Sequence, residues 1–162
     1  MTDMKHIILL IICILSLANA NAQSGLHIND VFEGKDISKK EMVETLIKGV
    51  QLEQYQLRVF HSVKFTATEQ QRDAVEKKFQ MDLDDHIKTY SDNTTNYEME
   101  RRGGHLFYAI AEVNARSHSG RQYISYQCSA TTIPNKFNIT LVYIEGYCTF
   151  DQLKHTFKKK NK

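Results

Sequence analysis

The chain has 162 residues, of which 25% are charged, and its 21 basic and 19 acidic residues leave a net charge of +2. Eight tyrosines, eight phenylalanines and a single proline are typical of a globular protein and not of a disordered one. The near-neutral charge gives no basis for nucleic-acid binding. The length is that of one domain preceded by a short N-terminal segment.

The start of the chain has the three-part pattern of a signal peptide. Lys5 and His6 precede an apolar run, residues 7–15, and small residues follow up to Ala22. The apolar run is too short to remain as a permanent transmembrane helix. We therefore predict a signal peptide over residues 1–22, with cleavage near Ala22 or two residues earlier. The product is expected to be exported and soluble, in the periplasm or outside the cell.

The remainder, residues 23–162, is predicted to fold as a single globular α+β domain without a transmembrane segment. It contains Cys128 and Cys148, in a compartment that permits disulfides. If the strands on either side of Pro134 form a hairpin, Cys128 lies opposite roughly Leu141, on the order of 20 Å from Cys148, which is too far for a disulfide. A less direct connection would allow the bridge, so the sequence leaves both states open.

The first half of the domain predicts two strands and a helix. Residues 42–50 and 57–65 are rich in apolar residues and alternate at the period of a strand. Thr66 or Thr68, each with Glu or Gln three residues later, would cap the helix that follows. The apolar stripe of this helix recurs every four residues and would lie on the sheet: Val75, Phe79, Leu83 and Ile87.

The second half is predicted to be mainly β. Four segments have the composition of strands: residues 97–101, 105–113, 123–128 and 139–145. Gly103 and Gly104 mark one hairpin turn, and Pro134 marks another. The chain ends in a helix with Thr149 as N-cap and Gln152 closing a capping box. The residues of that helix expected to face inward are Phe150, Leu153 and Phe157.

This order of elements predicts the fold class. Two strands are followed by a helix, then by three or four strands and a second helix. Strands that follow one another directly favour antiparallel pairing over a doubly wound parallel sheet. We predict an α+β fold with a mainly antiparallel sheet of about five to six strands and two helices on one face.

Cys148 and His155 invite interpretation as a nucleophile and its base. A position near a helix N-terminus would lower the pKa of the Cys148 thiol. However, seven residues along a helix place His155 about 10 Å away along the axis. A helix-capping neighbourhood is therefore the preferred interpretation of this segment.

No metal-binding pattern is found among the histidines and acids. The six histidines beyond the leader lack metal-ligand spacing: His27, His61, His86, His105, His118 and His155. One run combines acids with a histidine: Asp82, Asp84, Asp85 and His86. Consecutive helical residues point in different directions, and the run lacks the Gly and terminal Glu of a calcium loop, so it is predicted to be a solvated face. We assign no catalytic, cofactor-binding or metal-ligating residue.

Several segments resemble a family of uncharacterised small exported proteins of Bacteroidota, a domain of unknown function. They are Ser24-Gly25-Leu26 with Phe32, Tyr55-Gln56-Leu57 with Phe60-His61-Ser62, Gly103-Gly104-His105-Leu106-Phe107-Tyr108, Arg121-Gln122-Tyr123, Thr140-Leu141-Val142-Tyr143-Ile144-Glu145-Gly146 and Asp151-Gln152-Leu153. The resemblance implies an envelope location and a compact α+β fold. It supplies no activity and no site residues.

Three functions are compatible with these features. The one we favour is a non-enzymatic exported protein that binds a protein or peptide partner through a sheet edge or an exposed face. The first alternative is a small secreted hydrolase that uses Cys148 or a His and carboxylate pair, for which His105 is a candidate. The second alternative is docking to an anionic envelope through the C-terminal lysines: Lys154, Lys158, Lys159, Lys160 and Lys162. No cofactor is expected.

Overall fold

The computed structural model describes residues 25–89, 96–113 and 120–158. The predicted signal peptide lies outside these ranges. Among the described residues, no helix is both long enough and apolar enough to cross a membrane.

Six strands form one antiparallel sheet with the spatial order β1-β2-β6-β5-β4-β3. The strands are β1 (Met42–Lys48), β2 (Leu57–Thr68), β3 (Tyr97–Arg102), β4 (His105–Val113), β5 (Arg121–Ala130) and β6 (Lys136–Gly146). The helices are α1 (Asn29–Phe32), α2 (Glu69–Thr89) and α3 (Phe150–Lys158), with 3₁₀-helices at Lys39–Glu41 and Val50–Tyr55. This confirms the prediction of a mixed α+β fold dominated by an antiparallel sheet.

The two longer helices pack on opposite faces of the sheet. On the α2 face, helix α2 packs against residues such as Ile124 and Leu141. On the α3 face, helix α3 packs against residues such as Tyr123 and Ile144. The prediction of two helices on one face is therefore not confirmed. The central strands are apolar on both faces, so each face of the sheet must be shielded from solvent. The sequence pattern does not indicate which helix packs on which face.

Helix α2 begins and packs as its sequence indicates. The Thr68 N–H donates to Gln71 Oε1 at 2.9 Å, and the Gln71 N–H donates to Thr68 Oγ1 at 3.2 Å, which is a capping box. The buried residues of its stripe are Val75, Phe79 and Leu83. Ile87, the last residue of the predicted stripe, is 38% exposed.

Helix α3 also begins at a capping box. The Thr149 N–H donates to Gln152 Oε1 at 2.7 Å, and the Gln152 N–H donates to Thr149 Oγ1 at 3.3 Å. Phe150 and Leu153 are buried against the α3 face, as predicted. The side chain of Phe157 lies outside the described part of the structure.

A β-bulge changes the faces of strand β4. Glu100 of β3 pairs with Tyr108, whereas the next residue of β3 pairs with Leu106, so Phe107 is an extra residue in β4. Strict alternation predicts that Leu106 and Tyr108 share a face. Instead Leu106 joins Ala109 in the core of the α2 face, and Tyr108 packs on the α3 face.

The N-terminal segment, residues 26–37, covers part of helix α2. Its buried side chains belong to the same core as the α2 face. Asp82 of α2 accepts the backbone N–H of His27 at 2.6 Å and that of Ile28 at 2.9 Å. Lys78, one turn earlier, donates to the carboxylates of two acidic residues of the segment, Asp30 and Asp36.

Asp82 is consequently buried, with 3% of its surface exposed. Burial raises the pKa of this carboxyl to about 6, although the two backbone N–H donors act in the opposite direction. The prediction of a solvated face is wrong for Asp82, because a distant segment of the chain packs over it, and also for His86, which is buried as well. Asp85, on the outer side of the helix, is exposed and pairs with the His27 ring at 3.2 Å.

Candidate functional site

The two edge strands of the sheet differ in character. Strand β3 ends in charged residues, and Arg102 Nε donates to Glu100 Oε1 at 2.8 Å. The Arg102 guanidinium also lies 3.3 Å from the centre of the Phe107 ring. Charged side chains of this kind protect a sheet edge from pairing with another chain.

Strand β1 forms the opposite edge and has fewer charged residues than β3. Val43 is 70% exposed and Leu46 is 53% exposed. Glu44 and Lys48 are its charged residues. The strand pairs with β2 on one side, and no strand in the described ranges pairs with its other side. We call the outer side of β1, with Val43 and Leu46, the β1 edge. An exposed edge strand can bind an extended chain by pairing of its backbone groups.

Glu44 is held in place on the α2 face of this edge. Its Oε1 lies 2.6 Å from His61 Nε2, and its Oε2 lies 3.4 Å from Lys39 Nζ. Burial opposes ionisation of Glu44, but the hydrogen bond from His61 and the charge of Lys39 outweigh it and keep the pKa of Glu44 below its ordinary value. The β1 edge therefore carries an oriented negative charge at neutral pH.

Cys148 and His155 both line a groove of about 370 Å³ between the second 3₁₀-helix and α3. His155 is exposed, whereas Cys148 is 3% exposed. The carbonyl oxygen of Cys148 accepts a hydrogen bond from the Tyr123 hydroxyl at 2.7 Å. Burial raises the pKa of the Cys148 thiol, which is the opposite of the shift expected at a helix N-terminus. A buried, protonated thiol is a poor nucleophile.

Cys128 and Cys148 are both free and both buried. Cys128 belongs to the core of the α2 face and Cys148 to that of the α3 face. The sheet thus separates the two thiols. The hairpin that the sequence predicts around Pro134 is present, although Cys128 pairs with Ile139 and not with Leu141.

A further cluster joins helix α2 to the start of β4 and brings His105, the predicted candidate of a His and carboxylate pair, close to two carboxylates that the sequence did not identify. His105 Nδ1 lies 3.6 Å from Asp73 Oδ1 and 3.7 Å from Glu76 Oε2. Arg72 Nη2 lies 3.1 Å from His105 Nε2 and 2.9 Å from Asp73 Oδ1. The Arg72 guanidinium is also 4.3 Å from the centre of the Phe137 ring.

The contacts of Arg72 limit what this cluster can do. The ligand atoms of Asp73, Glu76 and His105 lie within 4.8 Å of one another, as in a metal site. However, a guanidinium only donates hydrogen bonds, so the lone pair of a neutral His105 ring is on Nε2 and its proton is on Nδ1, towards the carboxylates. To bind a metal or to act as a general base, Nδ1 would need a free lone pair, but in this arrangement Nδ1 carries the proton. These contacts favour a structural role for the cluster, which connects α2 to the β3–β4 hairpin.

The C-terminal lysines are described only in part. Lys154 Nζ lies 3.6 Å from Glu98 Oε2 and 3.6 Å from Asp151 Oδ1. It also lies 5.0 Å from the centre of the Phe150 ring. The side chain of Lys158 and all of residues 159–162 are outside the described ranges.

Comparison with known proteins places the chain in a family. Neither a search of curated proteins nor a search of solved structures returned a match. A family model described as a family of unknown function matches residues 15–157, which is most of the chain. The chain therefore belongs to this family of unknown function, DUF6108.

Proposed function

We propose that this chain is an exported, non-enzymatic binding protein that takes up an extended segment of a protein or peptide partner at the β1 edge. The observation that carries the proposal is the contrast between the two edges of one sheet. Four of the six residues of β3 are charged, whereas β1 has two charged residues of seven, exposes Val43 and Leu46, and has an outer side with which no described strand pairs. The buried, protonated state of Cys148 and the Arg72 contacts of His105 favour binding over hydrolysis.

Strand addition would use both parts of this edge. Backbone N–H and C=O groups of β1 would form a ladder with the partner and supply affinity that does not depend on the partner's sequence. Side chains alternate between the two faces, so Val43 and Leu46 would contact residues of the partner on opposite faces of the sheet. Pairs of apolar side chains across strands would add selectivity.

The β1 edge can be tested by site-specific photo-crosslinking in intact cells. A benzophenone-bearing residue at Val43 is expected to give a discrete adduct with a partner, because the side chain is exposed on the pairing edge. The same residue at Glu100, on the charged β3 edge, is the matched control and is expected to give only background. Equal adduct formation at the two positions, or none at Val43, would contradict the proposal.

Export is supported by the leader pattern before Ala22 and by the resemblance to exported proteins of Bacteroidota. The mass of the protein purified from its native source is expected to correspond to a chain that starts at Gln23. Fractionation is expected to recover it outside the cytoplasm. A product that retains Met4 to Ala22 would contradict export by a cleaved signal peptide.

A further inference from the structure

We infer that the extended segment taken up at the β1 edge is strand β1 of a second copy of this chain, in antiparallel register about Leu46. This inference rests on the proposed function, because it uses the same edge. It starts from the sequence Glu44-Thr45-Leu46-Ile47-Lys48, in which opposite charges lie at equal distances on either side of Leu46. A strand with this pattern is complementary to itself when the second copy runs in the opposite direction.

A two-fold axis through Leu46 makes these charges meet. Leu46 then lies opposite Leu46 of the second copy, and Glu44 lies opposite Lys48 of the second copy, twice. Alternate residues of a strand share a face, so both ion pairs and the leucine pair lie together on the α2 face. Directly opposite residues have Cβ atoms about 5 Å apart, which is close enough for both kinds of contact.

The other face of the joined strands would be uncharged. In the same register, Thr45 lies opposite Ile47 of the second copy, twice. Ile47 already packs against the core of the α3 face, which includes Leu52. Pairing would therefore extend that core across the two-fold axis.

Other registers lose this complementarity. Moving the axis to Thr45 leaves Glu44 opposite Leu46, and moving it to Ile47 leaves Lys48 opposite Leu46. Axes at Glu44 or at Lys48 place like charges directly opposite one another, which destabilises a sheet. The register about Leu46 is the one that pairs both charges, and a self-complementary two-fold contact is the commonest form of protein dimer.

The test exchanges these charges in the full mature chain and follows its mass by sedimentation equilibrium. The wild type is expected to dimerise. Glu44→Lys and Lys48→Glu would each place like charges opposite one another twice, so each variant is expected to weaken the dimer by about tenfold or more. An equimolar mixture of the two variants restores every pair and is expected to form heterodimers. The double variant E44K/K48E is expected to dimerise like the wild type.

Glu100→Lys makes the same charge change on the other edge strand and is expected to leave the dimer unchanged. Circular dichroism and thermal melting of each variant separate a lost contact from a lost fold. A wild type that stays monomeric at high concentration, or single variants that dimerise as tightly as the wild type, would overturn the inference. So would a mixture of the two variants that remains monomeric.

Photo-crosslinking at Val43 distinguishes this failure from that of the proposed function. An adduct with the mass of two copies supports both. If Val43 gives an adduct with a different protein and the wild type is monomeric, the inference of a second copy is wrong, but the proposed binding function is supported. A monomeric wild type without any adduct at Val43 overturns both.

Discussion

Replacing Asp82 by alanine is expected to lower the free energy of unfolding by about 2 kcal/mol at pH 7, because it leaves two backbone N–H groups without their acceptor. The Ile28 N–H is buried, so solvent does not replace the lost hydrogen bond. The loss should concentrate in the N-terminal segment, residues 26–37. Urea denaturation gives the global effect, and amide hydrogen exchange locates it.

The effect of this replacement should grow as the pH falls. Burial raises the pKa of Asp82 to about 6 in the folded state, above the value of about 4 in the unfolded chain. The folded state therefore binds this proton more tightly, and the resulting stabilisation is fully present below pH 4 and is lost as the pH rises through 6. Alanine has no such proton, so the loss is expected to reach about 3 kcal/mol at pH 5.

Asp85→Ala is the matched control, because Asp85 lies on the same helix and contacts the same segment through His27. Its pair is exposed, so its removal is expected to change the free energy of unfolding by less than about 0.5 kcal/mol at either pH. A loss of similar size in both variants would show that Asp82 does not anchor the N-terminal segment. A loss in Asp82→Ala that is independent of pH would contradict the raised pKa.

Gly146→Ala is expected to destabilise the fold by about 3 kcal/mol, because the added methyl group would meet backbone and not a flexible side chain. A Cβ at this position would fall on the carbonyl oxygen of Gln56 and 2.8 Å from the Cα of Leu57. The Gln56 carbonyl also accepts the Tyr147 N–H at 2.8 Å, so it cannot move away without breaking that bond. Thermal and urea unfolding measure the loss.

Gly104→Ala is the control for this prediction. Gly104 has a φ of 86° in the β3–β4 turn, and a Cβ there would have no neighbour within 4 Å. Alanine at this position is expected to cost about 1 kcal/mol through backbone strain alone. If the two variants lost equal stability, the close approach at Gly146 would not be the cause.

Local elements of this protein follow from its sequence. The capping boxes at Thr68 and Thr149 lie where Thr is followed three residues later by Gln, and each needs only the residues of one helical turn. The turn at Pro134 is equally local, since Pro sets its own φ and Asn135 accepts the positive φ of 56° that follows. Periodicity then identified the strands and the long helix, because a buried face repeats at the period of its element.

Contacts between distant segments were decided by the tertiary structure. Asp82 has no local signal of burial, and its partners lie 54 and 55 residues away along the chain. His105 joins Asp73 and Glu76 only because the β3–β4 hairpin packs beside α2. The bulge at Phe107 depends on how β4 pairs with β3, which the alternation within β4 does not contain.

The candidate binding surface shows the same division. The sequence by itself predicted a strand over residues 42–50 in which opposite charges flank Leu46, and the structure ends this strand at Lys48. Whether that strand lies inside the sheet or at its edge was decided only when β6 paired with β2 and left β1 outermost. The physical reason is that pairing order depends on the free energy of the whole sheet, whereas the pattern of one strand records only which of its side chains are apolar.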